Sequence, residues 1–130
     1  MSKDVVIPKG MEVSYERFHF APAVRDGDRL FCSGQIGTGP DGRTIEDPKA
    51  QFTAAFEHVR TVLEAAGAGL EDILEMTTYH VDMQAHLGTF MQVKDDFIEK
   101  PYPAWTAIGT PALAMPGGLV EIRVIAKLSS

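Results

Sequence analysis

The sequence predicts a two-layer sandwich, α/β or α+β, with helices covering one face of a mixed β-sheet. Three observations lead there. Apolar residues recur at helical spacing after Asp47-Pro48, and the closing stretch LVEIRVIAKL alternates with the two-residue period of a half-buried strand. The elements follow the order ββαβαββ, so two helices serve a sheet of four or five strands. Two helices can shield only one side of such a sheet, and the other side is left uncovered.

The elements follow in order. In APAVRDGDRLFCSGQ the polar turn Asp26-Gly27-Asp28 separates two runs that can each be extended, which is a hairpin signal. Leu30, Cys32 and Gly34 then share one face, and Phe31, Ser33 and Gln35 the other. Gly37 to Thr44, a Gly/Pro/Asp cluster, is loop. Asp47 reads as a helix N-cap and Pro48 as the first helical residue. Phe52, Ala55, Phe56, Val59, Val62, Leu63 and Ala66 recur at spacings of three and four until Gly67 stops the helix. Asp72 to Met83 is rich in Thr, Ile, Tyr and Val and reads as a strand. A second helix over Gln84 to Glu99 presents Leu87, Phe90, Met91, Phe97 and Ile98 on one side before Pro101 ends it. AWTAIG, Ala104 to Gly109, is a short strand followed by the loop TPALAMPGG. In the last strand Val120, Ile122, Val124, Ala126 and Leu128 face the core, and Glu121, Arg123 and Lys127 face the other way.

By alternation Phe31, Ile125, Trp105 and Ala107 fall on the uncovered face. So much apolar surface seldom meets bulk water, and burial against further copies with cyclic symmetry is the economical expectation. Trp105, Glu121 and Arg123 would then lie near subunit borders.

The chain of 130 residues, 45% of them hydrophobic, is able to bury one core and reads as a single domain over residues 1–130. Its lone cysteine, Cys32, excludes an intrachain disulfide framework and fits a buried inert thiol. No signal-peptide block or membrane-length apolar run occurs, so the expected location is the cytoplasm. Eighteen acids against 12 bases give a net charge of −6, and no basic stripe is present, which argues against nucleic acid as a partner.

The chemistry-bearing residues are few. His19, His58, His80 and His86 are dispersed without metal-ligand spacing, and neither a metal nor a cofactor is expected. His80 and Asp82 are two apart on the predicted strand, so they could form an oriented imidazole that acts as a general base, or be a strand-end histidine and its neighbour. Glu121 is either a surface charge paired with Arg123 or a carboxylate at a cleft wall able to position water. Trp105 is either packing or the wall of a binding site.

GDRLFCSGQIG, HVRTVLEAAGAGLEDILEMTTYHVDM and GLVEIRVIAKL together resemble the Rid (reactive intermediate deaminase) family, also called YjgF or RidA-like and once labelled L-PSP endoribonuclease. The resemblance runs from about Phe18 to Leu128. It implies an α+β, chorismate-mutase-like fold in a homotrimer, with sheets lining a central barrel and ligand clefts between subunits. It also implies a small-molecule ligand: an arginine holds the carboxylate of an imine or enamine intermediate, and a water oriented by a glutamate hydrolyses it.

Carried onto this chain, the glutamate is Glu121, and Ser33, Gly34 and Gln35 keep the SGQ turn of the cleft. The arginine position falls on Trp105, the nearby cysteine position on Ala107, and the tyrosine position on Phe20. An indole cannot reproduce the two-pronged grip of a guanidinium. PYPAWTAIG itself resembles the YjgH-like branch of the family. The expected activities are hydrolysis of a C=N-type metabolite with Glu121 orienting water, or metabolite binding without catalysis, with ribonuclease chemistry behind both. Arg17 and Arg123 are the candidates to replace the missing arginine.

Overall fold

The computed structural model describes residues 3–129. The chain opens with β1 (Asp4–Val6) and the one-turn helix α1 (Glu12–Glu16), continues through β2 (Ala23–Asp26), β3 (Arg29–Cys32) and β4 (Gln35–Ile36), and enters helix α2 (Pro48–Ala65). A 3₁₀ turn at Leu70–Asp72 leads into β5 (Ile73–His80), followed by α3 (Met83–Phe97), β6 (Ala104–Gly109) and β7 (Val120–Lys127). The predicted ββαβαββ order is present, with β1, α1 and β4 added to it. All strands join one seven-stranded sheet in the order β1-β2-β3-β7-β5-β6, with β4 also pairing β7. Only β5 and β6 run parallel, linked by α3 as a parallel pair requires.

Local chemistry accounts for the surest elements. The Asp47 carboxylate accepts the Ala50 N–H at 2.9 Å and so caps α2, with Pro48 at the first helical position. Gly27 sits at φ 62° at the tip of the β2–β3 hairpin, where Asp26 pairs with Arg29. Helix α2 buries Phe52, Ala55, Phe56, Val59, Val62 and Leu63 against the inward row of β7, Val120, Ile122, Val124 and Ala126.

Helix α3 contributes less, burying Phe90 and Val93. Met91, expected on the inner side, is exposed, because the face set by Phe90, Val93 and Phe97 turns it outward. Strand β5 ends three residues before its predicted limit, since Val81 and Asp82 bend into α3, which Met83 opens.

Both long helices lie on one side of the sheet, and the architecture is the α+β sandwich expected. Register decides which residues occupy the other side. Thr77 pairs with Arg123, Tyr79 with Glu121, and Phe31 with Ile125, and this row carries the uncovered face. Trp105 and Ala107, expected there, lie on the helix side instead. Parallel pairing sets Trp105 beside Met76 and Ala107 beside Thr78, both buried under the helices. Ile108, opposite Tyr79, is the apolar residue that β6 presents to the uncovered face. No helix among the described residues is long and apolar enough to cross a membrane.

Candidate functional site

Strand β7 carries Glu121 as the one carboxylate in its alternating pattern and points it to the uncovered face, half-buried between Ile36 of β4 and Tyr79 of β5. Beneath it lies the SGQ turn. Ser33 anchors that turn by donating its hydroxyl to Ala21 O at 2.6 Å and its N–H to Pro22 O at 2.9 Å. Gly34 comes next, and a Cβ there would collide with the Glu121 carboxylate, so the glycine opens the space the carboxylate fills. Gln35 pairs with Ile122 and fixes the turn against β7. Ser33, Gly34 and Glu121 are thus brought together, whereas Gln35, expected on the face of Phe31, shares the inward face of its partner Ile122 because the chain turns at Ser33-Gly34 and breaks the alternation. Phe20 meets this group at Ser33: the two line, with Arg123, an open depression of about 480 Å³ whose lining does not include Glu121.

Glu121 takes part in none of the ion pairs among the described residues, so the anticipated Glu121–Arg123 pair is not formed. Burial raises its carboxyl above the ordinary value of 4.5. A carboxyl of raised native pKa holds its proton more tightly folded than unfolded. Its stabilising contribution is therefore complete below 4.5 and is lost as pH rises through the native value. Above that range the same burial works against the folded state. Glu121→Gln is expected to raise the melting temperature at pH 7 and to leave it nearly unchanged at pH 4. Thermal denaturation at the two pH values checks this, and equal shifts at both would show that burial of the charge is not the cause.

Trp105 stands apart from this group. Its Nε1–H donates to Thr78 Oγ1 at 2.9 Å, its ring lies 6.1 Å from that of Phe90, and the Lys94 ammonium sits 4.8 Å from its centroid. Ala107, on the same face of β6, is exposed. Two strand spacings, about 10 Å, and the thickness of the sheet separate these residues from Glu121.

His80 is also on the helix side, buried, with Nε2 2.7 Å from Thr78 Oγ1 and the Phe90 ring edge-on at 4.8 Å. Burial lowers its pKa, which favours the neutral imidazole. The predicted His80–Asp82 pair is not made. Asp82 has left the strand at φ 54°, and its carboxylate faces His86 at 3.9 Å.

Cys32 is buried, and burial pushes its thiol up to about 12 against a smaller opposing influence of Arg123. That state is inert. Thr78, which accepts the Trp105 N–H and meets His80, was missed from the sequence, although its place two residues before His80 on one strand puts both on one face. Among the described residues no group of three or more His, Cys, Asp and Glu is placed to hold a metal.

A half-buried carboxylate over an SGQ turn, on the bare face of a two-layer α+β sandwich, is the arrangement that the resemblance to the YjgF-type proteins implies. The family model described as Endoribonuclease L-PSP matches residues 14–128. RutC family protein YjgH of Escherichia coli is 37% identical over 129 residues, spanning 98% of this chain and 97% of that protein. A RutC family protein of Aquifex aeolicus is 31% identical over 110 residues, 82% and 86% of the two chains. The solved structure of YjgH superposes with a TM-score of 0.91 at 36% identity, over 100% of this chain and 99% of that one. RidA from an Antarctic Psychrobacter gives 0.78 at 32% identity, over 84% and 88%. The chain belongs to the Endoribonuclease L-PSP family, the family of the YjgF, RutC and Rid proteins, and is similar to YjgH over nearly its whole length.

Proposed function

We propose that this chain assembles as a trimer and binds a small metabolite in clefts between subunits, where Glu121 orients a water for hydrolysis of an imine or enamine. The observation that carries the reading is the Glu121 carboxylate, half-buried, in no ion pair among the described residues and given its space by Gly34. The division of the predicted site supports assembly. Phe20, Ser33 and Glu121 lie toward one side of the sheet, Trp105 and Ala107 toward the other on edge strand β6, so a ligand touching both groups needs two copies. Cyclic association would also cover Phe31, Ile108 and Ile125. The free cysteine accords with a reducing, cytoplasmic setting.

In this chemistry Glu121 takes a proton from water as the water oxygen bonds to the C=N carbon and the π pair moves to nitrogen. Glu121 returns that proton to the nitrogen, a second passes to it from the carbinolamine hydroxyl, and ammonia leaves as the C–N bond breaks and the carbonyl forms. Glu121→Ala is expected to slow ammonia release from 2-iminobutyrate about 100-fold or more with the oligomer unchanged. Unaltered release would remove Glu121 from the mechanism.

One observation favours a second reading, a metabolite-binding trimer without catalysis. Trp105 occupies the family's arginine position with its single N–H already given to Thr78, so it offers a ligand a ring face and no donor. A stoichiometric complex that forms no product would select that reading. The net charge of −6 weighs against the ribonuclease chemistry in the family's description.

A further inference from the structure

The depression lined by Phe20 and Ser33 has a charge pattern that the chain as a whole does not share. In a chain of net charge −6, it gathers Lys3, His19 and Arg123, and among the described residues that line it there is no carboxylate. A concave surface with one sign of charge and apolar walls concentrates the opposite charge in a ligand. The apolar walls are the rings of Tyr15, Phe20 and Phe31, which suit a flat, unsaturated body. His19 is held at φ 61°, an unfavourable conformation for a side-chain-bearing residue, and such strain gathers at binding sites.

The cations of the chain can be told apart by what they already do. Arg17 stacks its guanidinium 5.9 Å from the Phe18 ring and does not line the depression. Arg25, Arg29 and Arg60 face Asp4, Asp28 and Glu57. Lys94 lies over Trp105 on the helix side. Lys3 and Arg123 line the depression and enter none of the ion pairs among the described residues, and of the two only Arg123 carries the planar fork that grips a carboxylate at both oxygens.

We infer that Arg123 holds the ligand's carboxylate in this chain, taking over from β7 the grip that the residue at position 105 cannot supply. This rests on the reading proposed above, in that it takes the depression as part of the ligand cleft. Arg123 and Glu121 are two residues apart on one strand and point to the same face, with their Cα atoms about 7 Å apart. A carboxylate forked on Arg123 sets its α-carbon on the side of the water that Glu121 orients, so a short 2-imino or 2-oxo acid spans the two groups.

The test is calorimetric titration of the full chain with 2-oxobutanoate and with its uncharged amide, beside turnover of 2-iminobutyrate. The natural protein is expected to prefer the acid. Arg123→Ala weakens the acid about 10- to 100-fold, the worth of a charge-assisted contact, and leaves the amide unaffected. Arg123→Lys restores part of the loss, because an ammonium supplies the charge without the fork. Arg17→Ala binds like the natural protein. Melting temperature and oligomer size, expected to be unchanged, separate lost binding from lost folding.

Acid binding unchanged in Arg123→Ala overturns the inference, as does a natural protein that treats acid and amide alike. Turnover that persists in Arg123→Ala with the same KM leaves the hydrolytic reading standing and removes Arg123 from it. Arg123-dependent acid binding without any turnover does the reverse.

Discussion

Gln51→Leu is expected to destabilise the protein by about 3–5 kcal/mol, because it strips the partners from three part-buried backbone groups at once. Gln51 is fully buried in the first turns of α2. Its Nε2 donates to Ile45 O at 2.9 Å and Gly117 O at 3.0 Å, and its Oε1 accepts the Leu119 N–H at 2.7 Å. A side chain at residue 37 would collide with the Gln51 carbonyl, so the loop after the SGQ turn is seated on the same residue. One glutamine thus fastens both loops that lead to Glu121, the one after β4 and the one entering β7. Gln51→Glu should fare no better, since a carboxylate can accept from Leu119 but faces two carbonyls with nothing to give them. Urea denaturation of both variants checks this, and a loss under about 1 kcal/mol for Gln51→Leu would mean that water replaces the amide.

Phe90→Ala is expected to cost a similar amount, about 3–5 kcal/mol, through the cavity it leaves. Its ring is fully buried, edge-on to Phe52 and stacked on Phe56, both at 5.6 Å, with His80 at 4.8 Å and Trp105 at 6.1 Å. Among the described residues no other joins both helices to β5 and β6 through so many rings. The chain has one tryptophan, so its fluorescence reports the site directly. Emission should shift to the red in the folded variant as water reaches the indole, and an unshifted spectrum would show that Thr78 and Lys94 hold the ring without Phe90.

What the sequence revealed and what it hid have a common cause. Helix α2 was legible because cap, first-position proline and seven apolar positions all agree between Asp47 and Ala66. Strand β7 was legible because one of its faces is core and the other charged, which also placed Glu121 on the uncovered side. Strands β1 and β4 were not, since runs of three and two residues exist only by pairing with distant partners, β2 and β7. The face of Trp105 was misjudged for the same reason: AWTAIG has no polar rhythm, and only its register on β5 decides which way the indole points. The contacts that define the site are likewise remote in sequence. Trp105 meets Thr78 across 27 residues, and Glu121 lies over Gly34. Residue type alone left Arg17 and Arg123 equivalent until the depression separated them.

The central claim is that Glu121 of one copy and the β6 edge of another form one working cleft, and complementation between two disabled variants tests it most directly. Glu121→Ala lacks the carboxylate, and Ala107→Arg obstructs the exposed position beside Trp105. Each variant alone is expected to be inert toward 2-iminobutyrate. Refolded together in equal amounts, they should regain about a quarter of natural activity, the fraction of clefts in a random cyclic trimer that receive an intact half from each neighbour. A mixture that forms hybrid trimers by native mass spectrometry yet stays inert, beside an active natural protein, would contradict the account.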